Sequence, residues 1–237
     1  MNLKTPEEIA LMYESAQIVS KTLGMLAGEI KPGVTTLHLD HLAEEFIRDH
    51  GAFPGFLGLY DFPNTLCTST NAQIVHGIPN DTPLQEGDIL SVDCGAYKNK
   101  FYGDHAYTFA IGEIESETQQ LIQVTRESLY KGIAQFRVGK RIGDLANAIQ
   151  KHTESFGYGV VRELVGHGIG KSLHEEPQVP NYGLPKQGHE IKEGMCLAIE
   201  PMINLGNKEI KTDDDAGKEL ARLKQLIGID SIREMKQ

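Results

Sequence analysis

The sequence lacks long apolar runs, has only three cysteines and contains fewer basic than acidic side chains. The apolar runs are too short to cross a bilayer, and the first four residues lead straight into a charged helical pattern. We therefore expect neither a membrane span nor a signal peptide. Cys67, Cys94 and Cys196 are odd in number and widely spaced, which predicts reduced thiols in a cytoplasmic protein and not a disulfide framework.

The charge balance is acidic, with 23 lysines and arginines against 33 aspartates and glutamates. A net charge of -10 disfavours a dedicated nucleic-acid binder, which needs a basic face, although a local basic patch stays open. The hydrophobic fraction of 40% and the charged fraction of 24% are typical of soluble globular proteins. With 237 residues the chain can form one large domain or two small ones.

Capping residues and apolar periodicity predict four helices. Thr5-Pro6-Glu7-Glu8 supplies an N-cap, a proline at the first helical position and a capping glutamate for the first helix, and Ser116 with Gln119 suggests a capping box for the third. The other predicted elements are a helix from about Thr36 to Gly51, short strands and loops from Phe53 to Asn80, a hairpin of Asp88 to Gly95 and Phe101 to Ile111, helices from about Glu117 to Phe136 and Ile142 to Phe156, and a buried strand from Met195 to Ile203.

The order of elements in the first half recurs in the second, and some residues recur with it. Glu86-Gly87 precedes Asp93 by the interval at which Glu193-Gly194 precedes Glu200. Gly33 and Gly139 each separate a long helix from a shorter one, and His76-Gly77-Ile78 is echoed by His167-Gly168-Ile169. One such echo is weak evidence, but together they predict two similar α+β halves whose carboxylates meet between them.

Two aspartates, Asp93 and Asp104, lie in the proposed hairpin. With Lys98-Asn99 as a two-residue turn they face one another directly, and like charges in that position are destabilising unless something compensates. The alternative is a pair of exposed aspartates on a solvated face. Apolar residues on both strands favour a half-buried pair, which requires a counter-cation.

An apolar strand pattern also surrounds Glu200, where an unpaired charge would be costly to bury. His167 lies among three glycines that leave its imidazole accessible, although a lone histidine beside glycines is more often structural. Together with the two aspartates they form a set of carboxylate oxygens and one imidazole nitrogen, which suits Mn, Fe, Co or Zn. Such an ion lowers the pKa of bound water and polarises a carbonyl, so amide hydrolysis becomes feasible.

Two further histidines, His76 and His174, lie at glycine or proline turns. Either could donate to a substrate or to a tetrahedral intermediate, although each alone is more often a structural loop residue.

From about Lys4 to Asp215 the chain resembles a known family, the type I methionine aminopeptidases of the M24 pita-bread metallopeptidases. The segments that carry the resemblance, in the family's order and spacing, are Cys67-Thr68-Ser69-Thr70-Asn71, His76-Gly77-Ile78-Pro79, Val92-Asp93, Gly103-Asp104, Gly166-His167-Gly168-Ile169-Gly170, His174-Glu175-Glu176-Pro177 and Ile199-Glu200-Pro201-Met202. The resemblance implies an α+β pita-bread fold, with pseudo-twofold halves, a central antiparallel sheet, outer helices and two metal ions between the halves.

The resemblance also implies roles for individual residues. Asp93 would hold one metal, Asp104 would bridge both, and His167 with Glu200 would hold the other, while His76 and His174 would contact the substrate and the developing oxyanion. An apolar pocket for the methionine side chain would be formed by Phe56, Leu59, Phe62, Cys67 and Leu173. Ordinary core packing is the alternative for these five.

The sequence departs from the family after Asp215. Family members continue with strands whose last glutamate bridges the metals, whereas here Leu220, Leu223 and Ile227 have helical spacing and no such strand is visible. We therefore divide the chain into a pita-bread domain, residues 1–215, and an atypical helical tail, residues 216–237. The second metal is expected to be weak or absent and activity to be reduced.

The implied function is a cytoplasmic, monomeric aminopeptidase that removes the initiator methionine from nascent proteins, with a transient ribosome contact. A catalytically inactive pita-bread module that engages ribosomes or a protein partner is the alternative from another class. A proline-specific aminopeptidase shares the architecture but fits His76-Gly77-Ile78-Pro79 less well.

Overall fold

The computed structural model describes residues 2–211. The departure after Asp215 and the predicted tail lie outside these residues. Among the described residues, no helix is both long and apolar enough to cross a membrane. The elements are helices α1 (Pro6–Glu29), α2 (Thr36–Asp49), α3 (Ser116–Ile133) and α4 (Ile142–Glu154), a 3-10 helix (Leu59–Asp61), and strands β1 (Phe53–Pro54), β2 (Leu66–Thr70), β3 (Ile89–Lys98), β4 (Phe101–Ala110), β5 (Gly159–Val160), β6 (Gly166–Gly168), β7 (Glu175–Val179), β8 (Leu197–Ala198) and β9 (Ile203–Asn204).

Helix α1 begins as its sequence predicts. The hydroxyl of Thr5 accepts from the Glu8 N–H at 3.2 Å, and the Glu8 carboxylate accepts from the Thr5 N–H at 3.1 Å. This reciprocal pair satisfies two backbone donors that a helix N-terminus otherwise leaves unpaired. The helix then packs on strands β3 and β4.

All strand pairs of the described residues are antiparallel. In the first half β3 pairs with β1, β2 and β4, and in the second half β6 lies between β7 and β8 while β5 pairs with β9. A core of fully buried side chains fills the space between the first sheet and helices α1 and α2; among them are Val19, Leu26, Leu39, Ile47, Leu66, Leu90 and Val92.

The predicted register of the β3–β4 hairpin was wrong by one residue in the turn. Lys98, predicted to lie in the turn, instead pairs with Phe101, so the turn residues are Asn99 and Lys100, both with positive φ (53° and 69°). Asparagine tolerates this left-handed conformation, and Asn99 is the first of the two turn residues. In a turn at 98–99 it would have been the second. Asp104 therefore faces Gly95 and not Asp93. The two aspartates share one face of the hairpin as diagonal neighbours.

The two halves repeat each other in backbone detail. Gly33 and Gly139, between the paired helices, have φ values of 89° and 87°. The N–H of each of these glycines donates to a backbone carbonyl shortly before a turn glycine, which is Gly87 in the first half and Gly194 in the second. These turn glycines also have positive φ (91° and 83°). Left-handed backbone at equivalent points favours glycine and confirms the predicted duplication of an α+β unit.

Other boundaries differ from the sequence prediction. The capping box predicted for α3 does not form, because Glu115 is the N-cap and makes no side-chain cap. Helix α3 ends at Ile133, and α4 ends at Glu154, each two or three residues before the predicted end. The single strand predicted from Met195 to Ile203 is instead the two short strands β8 and β9, with Glu200 between them. Pro201 lacks an N–H and cannot continue a ladder there.

Candidate metal centre

Strand β6 carries His167 in a closely packed position. A Cβ on Gly166 would lie 2.3 Å from the Ala198 carbonyl oxygen, and one on Gly168 would lie 2.4 Å from that of Glu176. Only glycine permits this approach, so the glycines predicted to leave the imidazole accessible also bring β6 against its neighbours. The partner of His167 on β8 is Ala198, two residues before Glu200.

Three predicted ligands converge on one point. His167 Nε2 lies 3.5 Å from Oδ2 of Asp104 and 3.3 Å from Oε1 of Glu200. One ligand atom from each of the three side chains lies within 4.8 Å of the others, and the part of the chain that the structure describes contains no other such group. Residues from β4, β6 and the β8–β9 connection thus meet between the two halves.

Asp93 lies beside this group but is not one of the three. Burial first, and then the charges of Asp104 and Glu200, raise the pKa of Asp93 well above its usual range. The cluster therefore contains three carboxyl groups that repel one another and, among the three converging side chains, the imidazole of His167. This arrangement calls for a cation.

Burial raises the pKa of Glu200 to about 7 against the opposing effect of His167. Burial alone would lower the pKa of His167, but hydrogen bonding to Asp104 and the charges of Glu200 and Asp104 raise it to about 9. A proton on His167 therefore partly neutralises the carboxylates in the metal-free protein.

The residues fit a divalent metal ion by their own geometry. Oε1 of Glu200 is buried and has no hydrogen-bond partner, although the side chain as a whole is 34% exposed. His167 Nδ1 lies 2.8 Å from the carbonyl oxygen of Gly168, which can only accept, so Nδ1 carries a proton and Nε2 faces the carboxylates. One imidazole nitrogen with carboxylate oxygens suits Mn, Fe, Co or Zn.

His174 lies at the edge of this centre. Its ring meets that of His167 edge to face at 4.4 Å between centroids. Tyr60 stacks on the His174 ring at 5.9 Å between centroids, and the Tyr60 hydroxyl lies 3.5 Å from Nδ1 of His174. Burial, and then the charge of His167, lower the pKa of His174 to about 4, so the ring is neutral near pH 7.

His76 occupies a strained turn beside β2. Its φ is +58°, which is uncommon for a residue with a side chain and costs about 1 to 3 kcal/mol unless the surroundings hold it. The next residue does so: the Gly77 N–H donates to Ser69 Oγ, and its carbonyl accepts from the Thr68 N–H at 2.7 Å. Burial lowers the pKa of His76. Its sequence echo of His167 is not structural, since one lies in a loop and the other in a strand.

The five predicted pocket residues lie in one apolar cluster. Four are buried, Leu59 is partly buried against them, and Met12, Phe101 and Ile169 complete the buried set; the predicted members are Phe56, Leu59, Phe62, Cys67 and Leu173. Cys67 pairs with Asp93 across β2 and β3, and Leu173 precedes His174 in the chain. The cluster thus adjoins the candidate metal centre.

Sequence reasoning overlooked Tyr60. It follows Gly58-Leu59 in a 3-10 helix and itself has positive φ (54°). An aromatic residue in a loop rich in glycine and proline gives no local sign that its ring will reach a histidine more than a hundred positions away.

Comparison with known proteins identifies the family. The model of metallopeptidase family M24 matches residues 10–230. A methionine aminopeptidase of Clostridium perfringens is 49% identical over 213 residues, 90% of this chain and 86% of that protein. Methionine aminopeptidase 1 of Bacillus subtilis is 44% identical over 233 residues, 95% of this chain and 94% of that protein.

The likeness extends to the fold. A crystal structure of methionine aminopeptidase from Rickettsia prowazekii superposes with a TM-score of 0.89 at 38% identity, covering 90% of this chain and 86% of that one. This confirms the pita-bread architecture expected from the sequence. The chain belongs to metallopeptidase family M24, and within it to the methionine aminopeptidases.

Proposed function

We propose that this protein is a metal-dependent aminopeptidase that removes the N-terminal methionine from nascent proteins. The observation that carries the proposal is the convergence of Asp104, His167 and Glu200 around a buried carboxylate oxygen with no partner. The names of relatives that are 44 to 49% identical over nine tenths of the chain or more supply the substrate class.

The proposed principal ion is held by Asp104, His167 and Glu200. Three protein ligands are enough for a catalytic metal that keeps an open position. When bound, the ion would lower the pKa of a water molecule and polarise the carbonyl of the first peptide bond.

A second ion would have only Asp93 and Asp104 from the described residues, and we propose that it binds weakly. This rests on the sequence after Asp215, where we expect residues 216–237 to be an atypical tail and where no segment matches the family's glutamate-bearing motif. Mn, Fe, Co and Zn all remain candidates for the metal.

The two histidines would act as neutral donors near pH 7. The Tyr60 hydroxyl is placed to donate to Nδ1 of His174, which leaves the His174 proton on Nε2. From there it would donate to the carbonyl oxygen of the first peptide bond as negative charge develops on it. His76, held in its strained turn, would help to orient the peptide.

The apolar cluster would receive the methionine side chain. Phe56 and Phe62 offer aromatic faces of the kind that thioethers favour, Cys67 adds a polarizable sulfur atom, and Leu173 adds apolar surface, with Leu59 at the margin. Since nascent chains are made in the cytoplasm, we propose that compartment, a monomeric state and at most a transient ribosome contact.

The alternative, an inactive binding module, is not favoured. A module that only binds a partner has no need for three acids and an imidazole around one point, because their burial costs free energy without a cation. Metal content tests it directly: a binding module would purify without a stoichiometric ion.

Release of free methionine from the tripeptide Met-Ala-Ser tests the proposed activity. The metal-free protein is loaded in turn with Mn, Co, Fe or Zn, and the variant His167→Ala serves as the matched control because it removes the proposed nitrogen ligand. We expect turnover by the wild type that a chelator abolishes. Absence of turnover with Mn, Co, Fe and Zn alike would refute the activity.

A further inference from the structure

The segment before α1 contains a buried ion pair, Lys4 with Glu175. Lys4 Nζ lies 2.7 Å from Oε2 of Glu175, and the two side chains are only 5% and 7% exposed. Lysine and glutamate are almost never fully buried unless paired. The pair joins residues 171 positions apart and lies outside the candidate metal centre.

Lys4 is held from several sides. Its N–H donates to the Gly194 carbonyl at 2.8 Å, and its Nζ also donates to the Asn2 carbonyl at 2.9 Å. A Cβ on Gly194 would lie 2.5 Å from the Lys4 carbonyl oxygen, so the turn approaches the lysine as closely as a glycine permits. Thr5, the next residue, caps α1. The ammonium group therefore projects from a fixed base.

Glu175 is tied to the residues of the centre. Its other oxygen, Oε1, accepts from the Ser172 N–H at 3.2 Å, which closes a turn around Leu173 and His174. Its backbone pairs with Gly168, the neighbour of His167. Any movement of the Glu175 side chain would therefore directly displace the turn that carries His174.

Stability alone explains this pair poorly. Removing two charges from water costs free energy that their attraction often only balances, and well-packed apolar residues can do as well. What a buried, hydrogen-bonded pair does supply is a single defined arrangement of the segments that it joins. The segment joined here carries His174.

We propose that Lys4 is a positioning residue that acts through Glu175. The ion pair fixes the turn of residues 172–175 and thereby keeps the ring of His174 against His167. The proposal rests on the proposed function, in which His174 meets the substrate carbonyl. The segment before α1 thus sets the geometry of the His174 donor, although it is far from His174 in sequence.

The chain offers a matched control in a second ion pair between the same two segments. Lys171 Nζ lies 3.0 Å from Oε1 of Glu8, but its side chain is 65% exposed. Exposed pairs of this kind order their neighbours little. Lys171→Met removes one lysine from the same region without touching the buried pair.

Histidine side-chain NMR of the metal-free protein tests the proposal independently of activity. The His174 ring signals are assigned with His174→Asn, and His152 on α4 serves as a remote reference. We expect Lys4→Met and Glu175→Gln to shift or split the His174 signals while leaving those of His152 in place. Lys4→Arg and Lys171→Met should retain the wild-type spectrum. An unchanged His174 spectrum in a folded Lys4→Met protein overturns the proposal, and Glu175→Gln decides if Lys4→Met does not fold.

Kinetics with the Mn-loaded protein and Met-Ala-Ser give the second readout. Displacement of a catalytic group by about 1 Å can cost about 100-fold, so we expect kcat to fall about 10- to 100-fold in Lys4→Met. KM and Mn affinity should stay near wild type, and Lys4→Arg should restore kcat. Lower thermal stability with unchanged kcat would show a purely structural role and overturn the proposal. If the wild type itself shows no turnover, the proposed function fails, and the NMR result still decides the role of Lys4.

Discussion

His167 Nε2 lies 3.3 Å from Oε1 of Glu200, and that oxygen has no hydrogen-bond partner. His167 lies on β6, and Glu200 lies in the connection between β8 and β9. Asp104 approaches His167 from the other half of the protein at 3.5 Å. In the metal-free state a proton on His167 is the only positive charge within this trio. Metal binding must therefore displace a proton, which couples the centre to pH.

The first prediction concerns the stability of the metal-free protein. Because the folded-state pKa of Glu200 is raised from 4.5 to about 7, its contribution is fully present below about pH 4.5 and is lost as pH rises through 7. Glu200→Gln should therefore be more stable than wild type at pH 8 and equal at pH 4. The carboxyl is partly exposed, so we expect a gain in Tm of only about 2 to 4 °C, about 1 kcal/mol for a protein of this size.

Thermal unfolding in a chelator and in excess Mn checks this prediction. The ligand set needs its charge to bind the ion, so with Mn at pH 8 the order should reverse and the wild type should be the more stable. A Glu200→Gln protein that is less stable than wild type in both buffers would contradict it.

The second prediction concerns metal stoichiometry. Titration of the metal-free protein with Mn in a calorimeter should reveal one tight site, since Asp104, His167 and Glu200 are the only group of three converging ligands within residues 2–211. Asp93→Asn should weaken this site by about 10-fold, as expected for an outer partner, whereas His167→Ala should abolish it. Two equally tight sites in the wild type would show that a further ligand completes the second position.

The third prediction concerns His174. With its pKa near 4 the ring is neutral from about pH 5 upward, and a bound cation would lower that pKa further. His174→Ala should lower kcat about 100-fold, as for loss of one donor to a developing oxyanion, with Mn affinity unchanged. Tyr60→Phe, which removes only the hydroxyl, should cost less than about tenfold.

The pH profile of kcat/KM separates this role from general acid catalysis by a charged histidine. Between pH 5 and 9, we expect every rise or fall of kcat/KM seen in the wild type to be present in His174→Ala as well. An ionisation near pH 6 that is present in the wild type and lost in the variant would mean that His174 acts as an imidazolium ion.

Local rules predicted much of the fold. Thr5 and Glu8 specify the start of α1, and the glycines at 33 and 139 mark equivalent turns in the two halves, because caps and left-handed turns depend on few neighbouring residues. The hairpin shows the limit of such rules. A one-residue error in the turn changed the partner of Asp104, yet Asp93 and Asp104 stayed on one face, because the true and predicted partners differ by two positions.

Tertiary relationships were beyond local reasoning. The charged residues Lys4 and Glu175 give no sign in sequence that they are buried together, since each lies in a polar segment. The split of the predicted strand at Glu200 was likewise missed, because an apolar pattern does not reveal which neighbour each end will pair with. Pairing choices of this kind depend on the whole packing arrangement.

The last prediction concerns Asn181, which is completely buried and whose Nδ2 donates to the Glu200 carbonyl at 2.7 Å. This bond fixes the backbone of a proposed ligand in the short connection between β8 and β9, where no ladder supports it. Asn181→Ala should weaken Mn binding about 10-fold or more and lower kcat in proportion to metal occupancy. Leaving the carbonyl unsatisfied should also lower stability by about 1 to 3 kcal/mol.

A matched control is Asn147→Ala, because Asn147 Nδ2 donates to the Gly183 carbonyl at 2.9 Å through the same kind of bond, to a residue that is not a proposed ligand. Asn147→Ala should lower stability without changing Mn affinity. Comparing the loss of Mn affinity with the loss of stability in the two variants therefore distinguishes positioning of Glu200 from general packing. If both variants lose stability and both keep wild-type Mn affinity, Asn181 does not position Glu200, and the carboxylate must be held by its contact with His167 alone.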